Sequence, residues 1–68
     1  MSDSKQTLPK VKGTLIGVDG NAFAIMGYFQ RQAKRSGWSD AQIDEVLDDA
    51  MSSEYHHLVA TIDSHLES

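Results

Sequence analysis

Gly17-Val18-Asp19-Gly20-Asn21-Ala22-Phe23 is where the chain changes character. Ahead of it runs an extended stretch rich in β-branched residues; behind it a helical pattern begins. Asp19, Gly20 and Asn21 are turn or helix-cap residues, so the seven together read as a hinge from strand to helix. The hinge sets the expected fold class, α+β: a short N-terminal strand or hairpin followed by three amphipathic helices.

Upstream, Val11-Lys12-Gly13-Thr14-Leu15-Ile16-Gly17-Val18 is the strand candidate. Thr14, Ile16 and Val18 share one face; Val11 and Leu15 share the other with Gly13 and Gly17. A lone strand is not stable. It has to pair with the N-terminal arm as a hairpin turning near Lys12-Gly13, pack on a helix, or pair with a second copy of the chain. Residues 1–9 read as a flexible arm, in which Pro9 cannot donate to a ladder and biases Leu8 towards extended geometry. Residues 10–68 then form one small strand-plus-three-helix domain.

The first helix is expected from about Gly20 to Ser36. With Asp19 as N-cap, Val18 and Phe23 fall at the spacing of a hydrophobic staple; Asn21 is the alternative cap. Arg31, Lys34 and Arg35 suit the C-terminal end of the helix dipole, and Gly37 follows as the residue that ends the helix. The second helix, about Asp40 to Met51, opens on the capping box Ser39-Asp40-Ala41-Gln42 and carries the apolar stripe Ile43, Val46, Leu47, Ala50 and Met51. Ser52 or Ser53 is expected to cap the third, about Glu54 to Leu66, with Tyr55, Leu58, Val59, Ile62 and Leu66 as its stripe.

A chain of 68 residues buries only about 60% of its unfolded surface, so its core is small and its stability marginal. Such chains are often reinforced by disulfides, a metal or association. There is no Cys, which removes disulfides and makes a structural zinc site unlikely with three His. Packing or self-association is left. The net charge of −4 favours solubility and does not draw the whole surface to a phosphate backbone. No apolar run approaches the ~20 residues that span a bilayer, and Met1 to Lys10 holds no signal-peptide core. These features lead us to expect a soluble, cytoplasmic protein.

Ala22-Phe23-Ala24-Ile25-Met26-Gly27-Tyr28-Phe29 is apolar nearly all round a helix, which normally means burial. So short a chain has little protein with which to surround it, and Gly27 lets another backbone come close. Phe23, Met26, Tyr28 and Phe29, with Trp38 beside the first inter-helix turn, are therefore the candidate interaction surface. Tyr28, Arg31, Lys34 and Arg35 form a second candidate, since an aromatic among cations can stack on bases and hold phosphates. The same cations equally suit the helix dipole and pairing with the acidic second helix. That acidity (Asp40, Asp44, Glu45, Asp48, Asp49) argues against a helix-turn-helix entering a DNA groove. It reads as a solvated face and not a cation site, because calcium wants six or more oxygens, usually from a loop. His56 and His57 diverge around the third helix, and His57 and His65 lie about 12 Å apart along it, so the histidines are expected to face solvent with no shared metal. No nucleophile–base pattern and no phosphate-binding Gly-rich loop is present.

The run Leu15-Ile16-Gly17-Val18-Asp19-Gly20-Asn21-Ala22-Phe23-Ala24-Ile25-Met26-Gly27 resembles the opening of a small family of uncharacterised bacterial and phage proteins, written L-x-G-x-D-G-N-A-F-x-L-M-G. Gln32-Ala33-Lys34-Arg35-Ser36-Gly37 and Tyr55-His56-His57-Leu58 match its later parts, although Ser52-Ser53-Glu54-Tyr55 stands where many relatives have S-G-D-Y. The resemblance covers about residues 11 to 66. It implies a bacterial or phage setting and transfers no activity or functional residue. The expectation is a non-enzymatic interaction module without cofactor, catalytic residue, metal or evident small-molecule ligand. It is expected to partner a second copy (a homodimer) or another protein through an apolar helical surface. A nucleic-acid-associated accessory protein is the alternative.

Overall fold

The computed structural model describes residues 10–67. The N-terminal arm expected over residues 1–9 lies outside the described residues, as does Ser68. The elements run β1 (Val11–Lys12), α1 (Ala22–Arg35), α2 (Asp40–Ala50), α3 (Tyr55–Asp63) and β2 (Leu66–Glu67). The fold is α+β, three helices with a two-stranded sheet.

The strand is shorter than expected and finds a partner the sequence did not suggest. Among the described residues only Val11 and Lys12 of the candidate are strand, and they pair with a second short strand while packing on α1. They lie parallel to the other end of the chain, Val11 opposite Leu66 and Lys12 opposite Glu67. The Val11 amide donates to the His65 carbonyl at 2.8 Å and the Gly13 amide to the Glu67 carbonyl at 3.1 Å. Beyond Lys12 the backbone leaves extended geometry at Gly13 (φ +147°) and again at Gly17 (φ +85°). Its polar groups are met locally instead of by a ladder: Thr14 N–H by the Tyr28 hydroxyl, Ile16 N–H by Thr14 Oγ1, Val18 N–H by the Leu15 carbonyl. Two glycines in a β-branched run thus mark turns and not a strand interior.

α1 starts two residues later than expected. Asn21 is its cap, its side chain accepting from Phe23 and Ala24 N–H. Asp19 instead accepts from the Asn21 amide at 2.9 Å, bracing the approach to the cap. With the cap moved, Val18 and Phe23 no longer hold staple positions; Val18 packs on the core while Phe23 stands exposed. The helix ends as expected. Gly37 takes φ +93°, Gly37 N–H donates to the Lys34 carbonyl and Trp38 N–H to the Ala33 carbonyl, a Schellman pair that aims Trp38 inward.

α2 keeps the capping box in both directions: Gln42 N–H to Ser39 Oγ, and Ser39 N–H to Gln42 Oε1. α3 departs from expectation at both ends. Glu54 caps it, accepting from His56 N–H at 2.7 Å, in place of Ser52 or Ser53. It stops at Asp63 because the last turn is closed by side chains, with Ser64 Oγ donating to the Thr61 carbonyl at 2.7 Å. Leu66 is thereby released to the sheet. Phe29, Ile43, Ile62 and Val11 are the largest fully buried side chains, one from each of the three helices and one from β1. Among the described residues no helix is long and apolar enough to cross a membrane.

Candidate functional site

The five apolar residues proposed as a surface do not share one. Phe29 is 0% exposed and Trp38 3%. Their rings meet edge to face at 5.6 Å, and the His65 ring completes the cluster at 6.1 Å from Phe29 and 5.7 Å from Trp38. These two residues are core, because the Schellman turn carries Trp38 back over α1. Tyr28 is half-buried, its hydroxyl committed to Thr14 N–H at 3.0 Å. Only Phe23 and Met26 line open space.

What they line is a groove of about 320 Å³ where the start of α1, the end of α2 and the start of α3 come together. Phe23, Met26, Met51, Tyr55 and Leu58 form its apolar walls, and Ser53 and Glu54 its polar edge. Phe23 is 80% exposed, Met51 53% and Tyr55 47%, so three large side chains that the helical patterns assign to packing stand substantially in solvent. Met51 and Tyr55 escape sequence reasoning because they extend the stripes of α2 and α3 one step past where those helices are covered. Their separation by only Ser52-Ser53-Glu54 is the signal that the two helix ends sit together. The Tyr55 hydroxyl donates to the Gly20 carbonyl, tying the start of α3 to the approach of α1.

The basic candidates occupy the outer side of α1. Arg31, Lys34 and Arg35 are exposed, and with Gln30 they border a shallow depression. Lys34 Nζ reaches Asp40 Oδ1 at 2.7 Å, joining the end of α1 to the start of α2. Arg31 and Arg35 form no ion pair among the described residues. Tyr28 is not brought to these cations: its hydroxyl points to the Gly13–Thr14 turn. The aromatic-plus-cation platform is therefore not assembled.

The histidines also depart from the solvent-facing expectation, His56 alone excepted. His57 Nε2–H donates to the Asp49 carbonyl at 2.9 Å, joining the Ser52 amide (3.1 Å) and hydroxyl (2.6 Å) on that C-terminal carbonyl of α2. His65 Nδ1–H donates to the Thr61 carbonyl at 2.9 Å, which seats its ring against Phe29 and Trp38. Among the described residues no group of three His, Asp or Glu is placed to hold a metal ion. Compared with family models, with curated proteins and with solved structures, the chain finds no match in any of the three.

Proposed function

We infer that this chain is a non-enzymatic interaction module that associates with a second copy of itself through the exposed apolar surface centred on Phe23. The observation that carries the reading is the 80% exposure of Phe23 on a capped, regular helix. Burying such a side chain stabilises by about 1.5–3 kcal/mol, and the isolated chain leaves nearly all of that unrealised. A chain of this size has few other sources of stability to forgo. Contiguous exposed apolar area of this kind marks interaction sites in soluble proteins. Arg31 and Arg35 support the alternative of a nucleic-acid accessory role, which predicts a salt-sensitive mobility shift with DNA or RNA at low ionic strength.

The test is absolute mass by light scattering over a concentration series. The expected result is a rise from 7.5 kDa towards twice that value. Phe23→Asp is expected to hold the mass at the lower value while leaving the helical circular dichroism and melting temperature of the monomer unchanged. A mass that stays at 7.5 kDa throughout the series overturns the reading.

A further inference from the structure

Phe23 separates two surfaces, the groove on one flank of α1 and the helix's own outer face on the other. The outer face holds a row of residues four apart: Phe23, Gly27, Arg31 and Arg35. Rows at this spacing form the ridges by which helices pack. The row is self-complementary, apolar at one end, notched in the middle and basic at the other. Asp19 stands exposed beyond the apolar end.

The notch is the unusual part. Glycine in a helix interior is less favourable than alanine, so it needs a reason. Within this molecule Gly27 has none. A Cβ placed there meets only the far end of the Arg31 side chain, at 3.7 Å, an ordinary contact. Gly13 makes the contrast, since its backbone is at φ +147° and a Cβ there runs into the Tyr28 ring. Gly27 is half-buried, and its one near neighbour is the flexible end of Arg31, so a second backbone can approach once that side chain moves aside.

Resting on the self-association inferred above, we propose that two copies pair through the outer face of α1, antiparallel, with Gly27 at the two-fold axis. The symmetry then fixes the contacts. Phe23, four residues before Gly27, meets Arg31 of the partner subunit, four residues after it, and the reciprocal contact forms across the axis. A guanidinium over an aromatic face is attractive. A parallel pairing instead stacks Arg31 on Arg31 and Arg35 on Arg35 of the partner subunit, so charge selects the antiparallel arrangement. Setting the basic face of one copy on the acidic α2 of the next gives a head-to-tail contact that builds rings or open chains, whereas the two-fold stops at a dimer.

A residue on a two-fold axis crosslinks to itself, and the natural chain has no Cys to compete. Helix axes about 8–10 Å apart put facing Cα atoms roughly 4–5 Å from each other, compatible with a disulfide. Gly27→Cys is therefore expected to oxidise to a covalent dimer at least tenfold faster than Ala60→Cys, an exposed control on α3. Gly27→Gln, bulky but favourable to a helix, is expected to weaken dimerisation at least tenfold while the monomer melts no lower. Preferential crosslinking of Met51→Cys or Tyr55→Cys with a slow Gly27→Cys places the second copy in the groove, overturning this geometry but not self-association. Masses growing past the dimer overturn it in favour of head-to-tail assembly, and a monomer at every concentration overturns both.

Discussion

Phe23 and Phe29 lie on the same helix, and their surroundings treat them oppositely. Around Phe29 the molecule closes on itself. Trp38 arrives from the turn after α1 and His65 from the turn after α3, and Val11 joins the same core from β1. The two ends of the described chain are laced together there by Val11 N–H on the His65 carbonyl. Around Phe23 three helix termini meet without a lid, and Phe23, Met51 and Tyr55 stay in solvent. The closed end is filled by rings packed on one another, whereas the open end is held by the short turn between α2 and α3 and by the Tyr55 hydroxyl on the Gly20 carbonyl, with its apolar side chains left uncovered. Stability is concentrated at the first, which leaves the second free to act on something outside the chain.

The largest break in that comparison is Phe29→Ala, expected to cost about 3–5 kcal/mol by cavity formation in the core. A 68-residue chain has only about 3–10 kcal/mol in total, so this variant is expected to lose a large share of its stability. Phe23→Ala, removing the same atoms from solvent, is expected to change monomer stability by less than about 0.5 kcal/mol. Urea unfolding at dilute concentration measures both. Similar midpoints for the two variants undo the contrast between a closed and an open end.

Gly13 sharpens the comparison at intermediate size. Its backbone at φ +147° suits glycine, and a Cβ there lies 3.2 Å from Tyr28 Cζ. Gly13→Ala is expected to cost about 1–3 kcal/mol, or roughly 4–8 °C in melting temperature for each kcal/mol. Tyr28→Phe alone loses the hydrogen bond to Thr14 N–H. Combined with Gly13→Ala it also relieves part of the clash, so the double variant is expected to be less destabilised than the sum of the singles by at least about 0.5 kcal/mol. Strict additivity means that backbone strain alone fixes glycine at this position.

How much of this could be read in the sequence follows from how local each signal is. The Ser39–Gln42 box, the Gly37 stop and the stripe of α2 from Ile43 to Ala50 are short-range patterns, and each forms where the spacing puts it. The β1–β2 pair leaves no such trace, being two residues long on each side and joining residues 11 and 66. The apolar run from Ala22 to Phe29 is a different case. Periodicity shows that the helix is apolar on most sides but not which sides its neighbours cover. Phe29 and Trp38 therefore fall inside, and Met51 and Tyr55, placed in buried stripes by the same logic, fall at the edge. The groove is a property of three helix ends meeting, and no one segment encodes it.

The smallest effect separates the fold's needs from the surface's. Gly27→Ala adds one methyl group where the chain has room for it, and it removes the conformational freedom of glycine from the unfolded state. The monomer is expected to gain about 0.5–1 kcal/mol, seen as a higher urea midpoint at concentrations too low for association. If Gly27 instead serves the monomer's own packing, the same variant is destabilised. A gain in the dilute monomer accompanied by weaker pairing at high concentration identifies a residue kept small for the benefit of a second chain. Gly13→Ala, in contrast, lowers stability at every concentration, because the side chain that excludes a larger residue there belongs to the same molecule.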